Sequence, residues 1–472
     1  MNKNAIVITV GRVSQMLIMF ITYRVLSTVL SVKDMGIYYF LLSISGAFGL
    51  IYANPIGMYA NRVIHAWKEH ATLIDNLKTV IKSFMVGSLL TIPFLFFYRE
   101  KISLEENSLL AVVFTMVFYV FSTSINGTLV PCLNLLGFTN QFVILTLLTN
   151  LVGLIISFAL VKLIAPLPLY WLIGQAISFT LFGAIAYLVL QKNNVDVSTA
   201  TTEKYHLRIK RVFKFALPIL VTNIAVWVLG QSFRFFYKEN IDLTILGELA
   251  FGLGLATSLC VAVEYLFQQL YLPDFYAHIN AANADKGAVW NKLFNKLVPV
   301  YIYFTIFIIG LSPFIMRVLA DTKFKNSAQY LAIGALVEFI RMIGNAFTMA
   351  TQSEMKTHKA MGPYLAGGLV TILGVLYICQ HPELVVYTPF CLMAGYLVAS
   401  IYLGINVKKM IKVHISIGDI LKYILTASVF LLALFLSSFS QSLMSSIVIG
   451  FVFGLLLLFF FYQSYMKRKT EW

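Results

Sequence analysis

Charged residues are scarce in this sequence. Asp, Glu, Lys and Arg make up 12% of its 472 residues, whereas hydrophobic residues make up 59%. Soluble globular proteins carry about 25% charged residues, which keep their surfaces hydrated. A chain with so small a charged share cannot cover its own surface in water. We therefore predict that lipid surrounds most of this protein.

Cysteines are few, and the common catalytic and nucleotide-binding motifs are missing. The four cysteines, Cys132, Cys260, Cys379 and Cys391, lie in apolar stretches without C-x-x-C or Cys/His spacing, so neither disulfides nor a zinc site is indicated. The sequence contains no G-x-x-x-x-G-K-[ST] loop, which argues against direct use of ATP by this chain. It contains no G-x-S-x-G or H-E-x-x-H motif either. We predict no enzymatic activity, no catalytic residues, no cofactor and no metal.

Acidic residues are outnumbered by basic ones, and the formal net charge is +15. In a soluble protein this excess would indicate nucleic acid or another acidic partner. In a membrane protein, Lys and Arg instead collect in cytoplasmic loops, so we predict no nucleic-acid partner. If the N-terminus is cytoplasmic, the inner segments hold most of the basic residues, for example between Lys192 and Lys214. This distribution predicts that both termini face the cytoplasm.

Long apolar segments recur along the whole chain. A membrane-spanning helix needs about 20 largely apolar residues, and about 14 segments qualify, which predicts an all-α polytopic membrane protein. The first six are 5–30, 36–60, 80–98, 109–134, 141–163 and 169–191. The next six are 213–237, 245–270, 297–319, 328–352, 361–380 and 386–407. The last two are 420–438 and 445–464. Asn54-Pro55 predicts a bend in the second of these helices.

The longest polar stretch, from about Gln191 to Arg211, divides the predicted helices into two groups of six. The predicted parts are an N-terminal lobe at 1–191, a cytoplasmic linker at 192–212, a C-terminal lobe at 213–407, and two additional C-terminal helices with a cytoplasmic tail at 408–472. Equal six-helix lobes of the same orientation indicate a parallel repeat, which is common in transporters.

A short pattern occurs in both lobes and supports the repeat. Tyr23-Arg24-Val25 lies near the outer end of the first helix, and Phe233-Arg234-Phe235 lies near the outer end of the seventh. Guanidinium groups are always charged and bind phosphate in a fork, so Arg24 and Arg234 are candidates to hold a diphosphate. Arg12 in the first helix is a further candidate. The alternative is that these arginines extend to the membrane interface as anchors.

Three charged residues lie within predicted helices of the C-terminal lobe. Glu338 and Arg341 are spaced i, i+3, which favours a self-neutralised structural pair over a role in a cavity. Glu264 has no basic residue near it on its own helix. A buried carboxylate of this kind can carry a proton through a transport cycle. The alternative is a water-exposed glutamate at the mouth of a cavity.

The stretches Arg24-Val25-Leu26-Ser27 and Gly36-Ile37-Tyr38-Tyr39-Phe40 resemble the start of the Wzx-type polysaccharide flippases. These belong to the multidrug/oligosaccharidyl-lipid/polysaccharide exporter superfamily, which also includes the lipid II flippase and multidrug extruders. Ala216-Leu217-Pro218-Ile219, followed by Arg234 and Gly247, is similar to the start of their second lobe. The resemblance spans essentially the whole chain, including the two additional C-terminal helices.

The resemblance implies two six-helix lobes around a central cavity and transport by alternating access. The implied cargo is a polyprenyl-diphosphate-linked oligosaccharide, such as an O-antigen unit of lipopolysaccharide biosynthesis, moved from the inner to the outer leaflet of the bacterial inner membrane. The resemblance also implies that Arg24 and Arg234, with Arg12 as a third candidate, contact the diphosphate. H⁺ or Na⁺ is the implied coupling ion, and membrane lipid is a partner.

Two alternatives remain. The first is a cation-coupled exporter of small molecules or drugs from the same superfamily. Multidrug extruders tend to carry acidic groups in their N-terminal lobe, whereas the first six predicted helices here contain no intramembrane acid, which favours an anionic cargo. The second is an integral membrane glycan polymerase or acyltransferase. The short predicted outer loops, of which the longest runs from Arg99 to Ser108, argue against it.

Overall fold

A computed structural model describes residues 3–97, 108–193, 209–279, 285–354, 356–439 and 442–468. Within these residues the chain consists of α-helices joined by short turns, with no β-strand. The first nine helices are α1 (Lys3–Val29), α2 (Val32–Phe48), α3 (Asn54–Glu69), α4 (Leu73–Leu89), α5 (Thr91–Phe97), α6 (Leu109–Leu135), α7 (Thr139–Leu163), α8 (Pro168–Lys192) and α9 (Ile209–Gln231). The others are α10 (Phe233–Asn240), α11 (Leu243–Ile279), α12 (Lys286–Leu319), α13 (Ser327–Ser353), α14 (Met361–Gln380), α15 (Thr388–Lys408), α16 (Ile417–Ala427), α17 (Leu432–Phe439) and α18 (Leu443–Arg468).

The predicted all-α membrane fold is confirmed. In the described part of the chain, 12 helical segments are long and apolar enough to cross a membrane. The two remaining predicted spans, 5–30 and 213–237, are helical as well. The first corresponds to α1, whose apolar character is lowered by two arginines. The second corresponds to α9 and α10, which are separated at Ser232.

The predicted bend at Asn54-Pro55 takes the form of a π-helical turn at Gly49–Ala53, which joins α2 to α3. The Asn54 N–H donates to the carbonyl of Gly49, five residues back. In the same i→i−5 register the carbonyl of Leu50 would accept from residue 55, but proline has no N–H. The side-chain amide of Asn223 on α9 supplies the missing donor at 2.8 Å. The carbonyl therefore stays satisfied in an apolar setting.

The contacts divide the chain into two compact units, residues 1–227 and 228–472. In the first unit α6 and α7 pack against α8, and α1 packs against α7. A hydrophobic core lies where α3, α4 and α6 meet, around the buried side chains of Trp67, Phe84 and Leu129. The predicted linker at 192–212 lies mostly outside the described residues, so the division of the chain at that linker stays a prediction.

In the second unit, α12 and α13 pack against each other, and both contact α11. The C-terminal helices α16 and α18 pack on α12. Phe430, in the 3₁₀ turn between α16 and α17, is fully buried, with ring centroids 5.5 Å from Phe307 and 5.7 Å from Phe460. Tyr303 of α12 stacks on Phe460 at 5.0 Å. These aromatic contacts attach the C-terminal helices to the rest of the unit.

Candidate functional site

Two glycines let α11 and α13 approach closely within the second unit. A Cβ atom added at Gly252 would lie 2.6 Å from the backbone oxygen of Ser327, and one added at Gly334 would lie 2.9 Å from the Cβ atom of Ala256. Small residues at a helix contact in lipid allow backbones to come together and polar side chains to bond across the interface. The polar side chains described next lie on the same pair of helices.

Six polar residues of α11 and α13 form one hydrogen-bonded cluster, which we name the carboxylate network. Its members are Thr257, Glu264 and Gln268 on α11, and Glu338, Arg341 and Asn345 on α13. On α11 the members follow one another at i, i+7 and i+11, and on α13 at i, i+3 and i+7. Since an α-helix has 3.6 residues per turn, each set lies on one face of its helix.

Arg341 joins the two carboxylates of the network. Its Nε atom donates to Oε2 of Glu338 at 2.5 Å, and its Nη2 atom donates to Oε2 of Glu264 at 2.9 Å. The first bond lies within α13 and the second connects α13 to α11. Charge-assisted bonds of this kind are among the stronger side-chain interactions in proteins.

The remaining carboxylate oxygens also accept hydrogen bonds. Oε1 of Glu338 accepts from the hydroxyl of Thr257 at 2.7 Å. Oε1 of Glu264 accepts from the amide of Asn345 at 2.9 Å and from the amide of Gln268 at 3.1 Å. All four carboxylate oxygens therefore have donors, as a buried network requires.

The network is buried and contains one more acidic group than basic groups. Glu264 is 3% exposed and Glu338 is 6% exposed, and the side chain of Arg341 is 16% exposed. With two carboxylates and one guanidinium, the formal charge is −1 when both acids are ionised. An uncompensated charge within the membrane costs at least about 2.5 kcal/mol. Within the described residues, no group of three or more His, Cys, Asp or Glu side chains could hold a metal ion.

The structure brings together the three charged residues that the sequence analysis named in the C-terminal lobe. The expected pair between Glu338 and Arg341 is present, but it is not self-contained, because Arg341 also binds Glu264. The 3% exposure of Glu264 favours a buried carboxylate over a water-exposed one. Thr257 and Gln268 were not expected from the sequence. Their spacing from Glu264 on one helix face is the signal that could have identified them.

The three arginines named as diphosphate ligands lie elsewhere. Arg12 donates to Oε1 of Gln15 at 2.8 Å, and its guanidinium lies 6.0 Å from the ring of Phe142 on α7. Arg24 is partly exposed near the end of α1. Arg234 on α10 is 6% exposed, with its guanidinium 5.3 Å from the ring of Phe233. Arg12 and Arg24 belong to the first unit and Arg234 to the second, and their role stays a prediction.

The polar side chains that connect α6 and α8 in the first unit are neutral. The hydroxyls of Ser122 and Thr180 lie 2.7 Å apart, and the amide of Asn126 donates to the carbonyl of Phe179 at 3.3 Å. Tyr119 donates to Oε1 of Gln175 at 3.3 Å. These bonds tie helices together in a unit whose long apolar helices carry no acid at mid-length among the described residues.

Comparisons with solved structures show the fold. The lipid II flippase MurJ, in an inward closed conformation, matches with a TM-score of 0.64 and 15% identity over 98% of this chain and 99% of that one. An inward-facing MATE-family multidrug resistance transporter of the MOP superfamily matches with a TM-score of 0.56 and 13% identity over 85% of this chain and 98% of that one. A MOP superfamily transporter from Pyrococcus furiosus matches with a TM-score of 0.56 and 11% identity over 86% and 94% of the two chains. At these identities the likeness concerns the fold alone.

The sequence comparison identifies the family. No curated protein matches the chain. The family model described as polysaccharide biosynthesis protein matches residues 1–275, more than half of the sequence. This match, together with a fold like those of the lipid II flippase and the MATE transporter, confirms the family resemblance found in the sequence. The chain belongs to the polysaccharide biosynthesis protein family.

Proposed function

We propose that this protein is a flippase that moves a polyprenyl-diphosphate-linked oligosaccharide, such as an O-antigen repeat unit, from the inner to the outer leaflet of the bacterial inner membrane. It works by alternating access, with both termini in the cytoplasm. The observation that carries the proposal is the combination of a polysaccharide biosynthesis family match with a fold like that of the lipid II flippase across 98% of the chain. One comparison concerns polysaccharide biosynthesis, and the other concerns a lipid II flippase.

The proposed ligands of the diphosphate are Arg24 and Arg234, with Arg12 as a third candidate. Guanidinium keeps its charge at any physiological pH and binds phosphate oxygens in pairs. The neutral polar side chains in the first unit, such as Asn126 and Gln175, are compatible with an anionic head group, which buried acids would repel.

Coupling to an ion gradient is assigned to the carboxylate network. Its formal charge of −1 would attract a proton or Na⁺, and its position between α11 and α13 links the bound cation to the packing of two helices. A change of charge at this point would alter the bonds that Arg341 makes to both helices. The network is thus proposed to drive the transport cycle without touching the cargo.

The test uses a strain that lacks the gene and carries either the native protein or a variant. Loss of the protein is expected to abolish the surface glycan and to leave the lipid-linked oligosaccharide on the cytoplasmic leaflet. Arg24→Ala and Arg234→Ala should each abolish export at normal protein levels in the membrane, and the Lys variants should restore it only in part. Arg62→Ala changes an exposed arginine on α3 and serves as the matched control. Normal surface glycan in both alanine variants would exclude the proposed diphosphate ligands.

The second candidate is a cation-coupled exporter of small molecules. It is favoured by the likeness to MATE transporters and by the buried carboxylates, which suit a cationic cargo as well as a coupling ion. The same deletion strain separates the two functions. Increased drug sensitivity with an intact surface glycan would support the exporter and exclude the flippase.

A further inference from the structure

We infer that Glu338, and not Glu264, is the residue of the carboxylate network that binds and releases a proton, and that the Thr257 hydroxyl reverses its hydrogen bond when this happens. This inference deepens the coupling step and rests on the proposed function. The two carboxylates differ in whether a neighbouring group can accept a hydrogen bond from the protonated oxygen.

Glu264 is surrounded by groups that only donate. Its Oε2 atom faces the guanidinium of Arg341, and its Oε1 atom faces the amide nitrogens of Asn345 and Gln268. A guanidinium has no acceptor, and the NH₂ of a carboxamide has none either. A proton on either oxygen of Glu264 would point at another N–H group, so a carboxamide would have to turn over first. None of these three partners can accept a hydrogen bond from a protonated Glu264.

Glu338 has a partner that can serve both protonation states. Its Oε1 atom lies 2.7 Å from the hydroxyl oxygen of Thr257, and a hydroxyl can donate or accept. The same hydroxyl also lies 3.0 Å from the carbonyl of Leu253, which can receive its hydrogen instead. The hydroxyl can therefore rotate from Glu338 to Leu253 without movement of any heavy atom.

A proton from water bonds to Oε1 of Glu338, and the carboxylate becomes a neutral acid. The new O–H donates to Oγ1 of Thr257, whose own hydrogen turns to the carbonyl of Leu253. The formal charge of the network changes from −1 to zero. Release runs in the reverse direction and returns the proton to water.

One guanidinium is shared by the two acids of the network. Arg341 bonds to Glu338 on its own helix and to Glu264 on α11. From the packed helices, Cys260 of α11 and Tyr396 of α15 also interact electrostatically with Glu338. Thiol and phenol groups are ordinarily neutral near pH 7, so they do not replace the missing positive charge.

Two further tyrosines face the network. Tyr301 of α12 and Tyr364 of α14 interact electrostatically with Glu264 and Arg341. Both are ordinarily neutral as well. After uptake, Arg341 and Glu264 remain as an ion pair at 2.9 Å, and the buried network carries no net charge. The protonated form is therefore the one that suits a membrane interior.

The test is infrared difference spectroscopy on the purified full-length protein in lipid nanodiscs, without added substrate. Lowering the pH should produce the carbonyl stretch of a buried carboxylic acid. Aspartate replaces each acid in turn, because glutamine at either position would remove the excess charge. The band should move in Glu338→Asp and stay in place in Glu264→Asp. A band that moves in Glu264→Asp and stays in Glu338→Asp, or the absence of such a band in the native protein, would overturn the inference.

Two variants of Thr257 test the hydroxyl independently, in case Glu338→Asp fails to fold. Thr257→Val removes the acceptor of the acid proton, so the band should move to higher frequency, whereas Thr257→Ser should leave it in place. An unchanged band in Thr257→Val would contradict the assignment. Because no lipid-linked substrate is present, a failed flippase test would leave these spectra valid, and the two proposals can fail separately.

Discussion

Replacing Arg341 by glutamine should destabilise the protein far more than replacing Glu264 by glutamine, although both changes touch the same ion pair. Arg341→Gln leaves two buried carboxylates without their shared cation and changes the formal charge of the network from −1 to −2. Removing one partner of a buried ion pair typically costs about 3–5 kcal/mol. Glu264→Gln removes the excess charge and leaves a neutral pair of Glu338 and Arg341. Its expected effect is within about 1 kcal/mol of the native protein.

The measurement is the free energy of unfolding in detergent, with size-exclusion profiles to verify that each variant is folded at the start. The triple variant, with glutamine at positions 264, 338 and 341, serves as the control, because it restores neutrality without restoring any charge. It should recover most of the stability lost in Arg341→Gln. Equal stability of Arg341→Gln and Glu264→Gln would refute the view that unbalanced charge dominates the energetics of the network.

Two further predictions concern helix packing. Gly252→Ala would place a Cβ atom 2.6 Å from a backbone oxygen of α13. It should lower the free energy of unfolding by about 1–3 kcal/mol. Gly450→Ala is the control and should be neutral, because no atom lies within 4 Å of the added carbon. Asn223→Ala leaves the Leu50 carbonyl without its side-chain donor and should cost about 1–3 kcal/mol. Asn193→Ala removes an exposed side-chain bond and is the control, so equal melting temperatures for the two asparagine variants would contradict the prediction.

The membrane-spanning helices were predictable because the bilayer imposes one length on all of them. That rule needs only local sequence, and it located even the helix with Glu264 in its interior. It did not reveal the break at Ser232, where α9 ends inside a predicted span. Proline at position 55 predicted a bend, but not its π-helical form. The side chain that satisfies the freed carbonyl lies 173 residues further along the chain, beyond the reach of local patterns.

The candidate site was predictable only in part, for the same reason. Glu338 and Arg341 are neighbours on one helix, so their pairing follows from spacing alone. The bond between Arg341 and Glu264 joins residues 77 positions apart, and it depends on the close approach of α11 and α13. Glycines at the contact permit that approach, but glycines are frequent in membrane helices and do not reveal which helices meet. The packing of α11 against α13 therefore adds the second acid to the network, and local sequence does not show this.

The bond between Asn223 and the turn at Gly49–Ala53 restricts how α9 can move. Trp227, one turn further on, donates to the carbonyl of Ser43 at 3.0 Å, so two side chains of α9 are attached to the backbone of the same long helix. Moving α9 away from this helix would break both bonds and leave the Leu50 oxygen without its side-chain donor. The proline at position 55 thus leaves a backbone acceptor that holds α9 beside it.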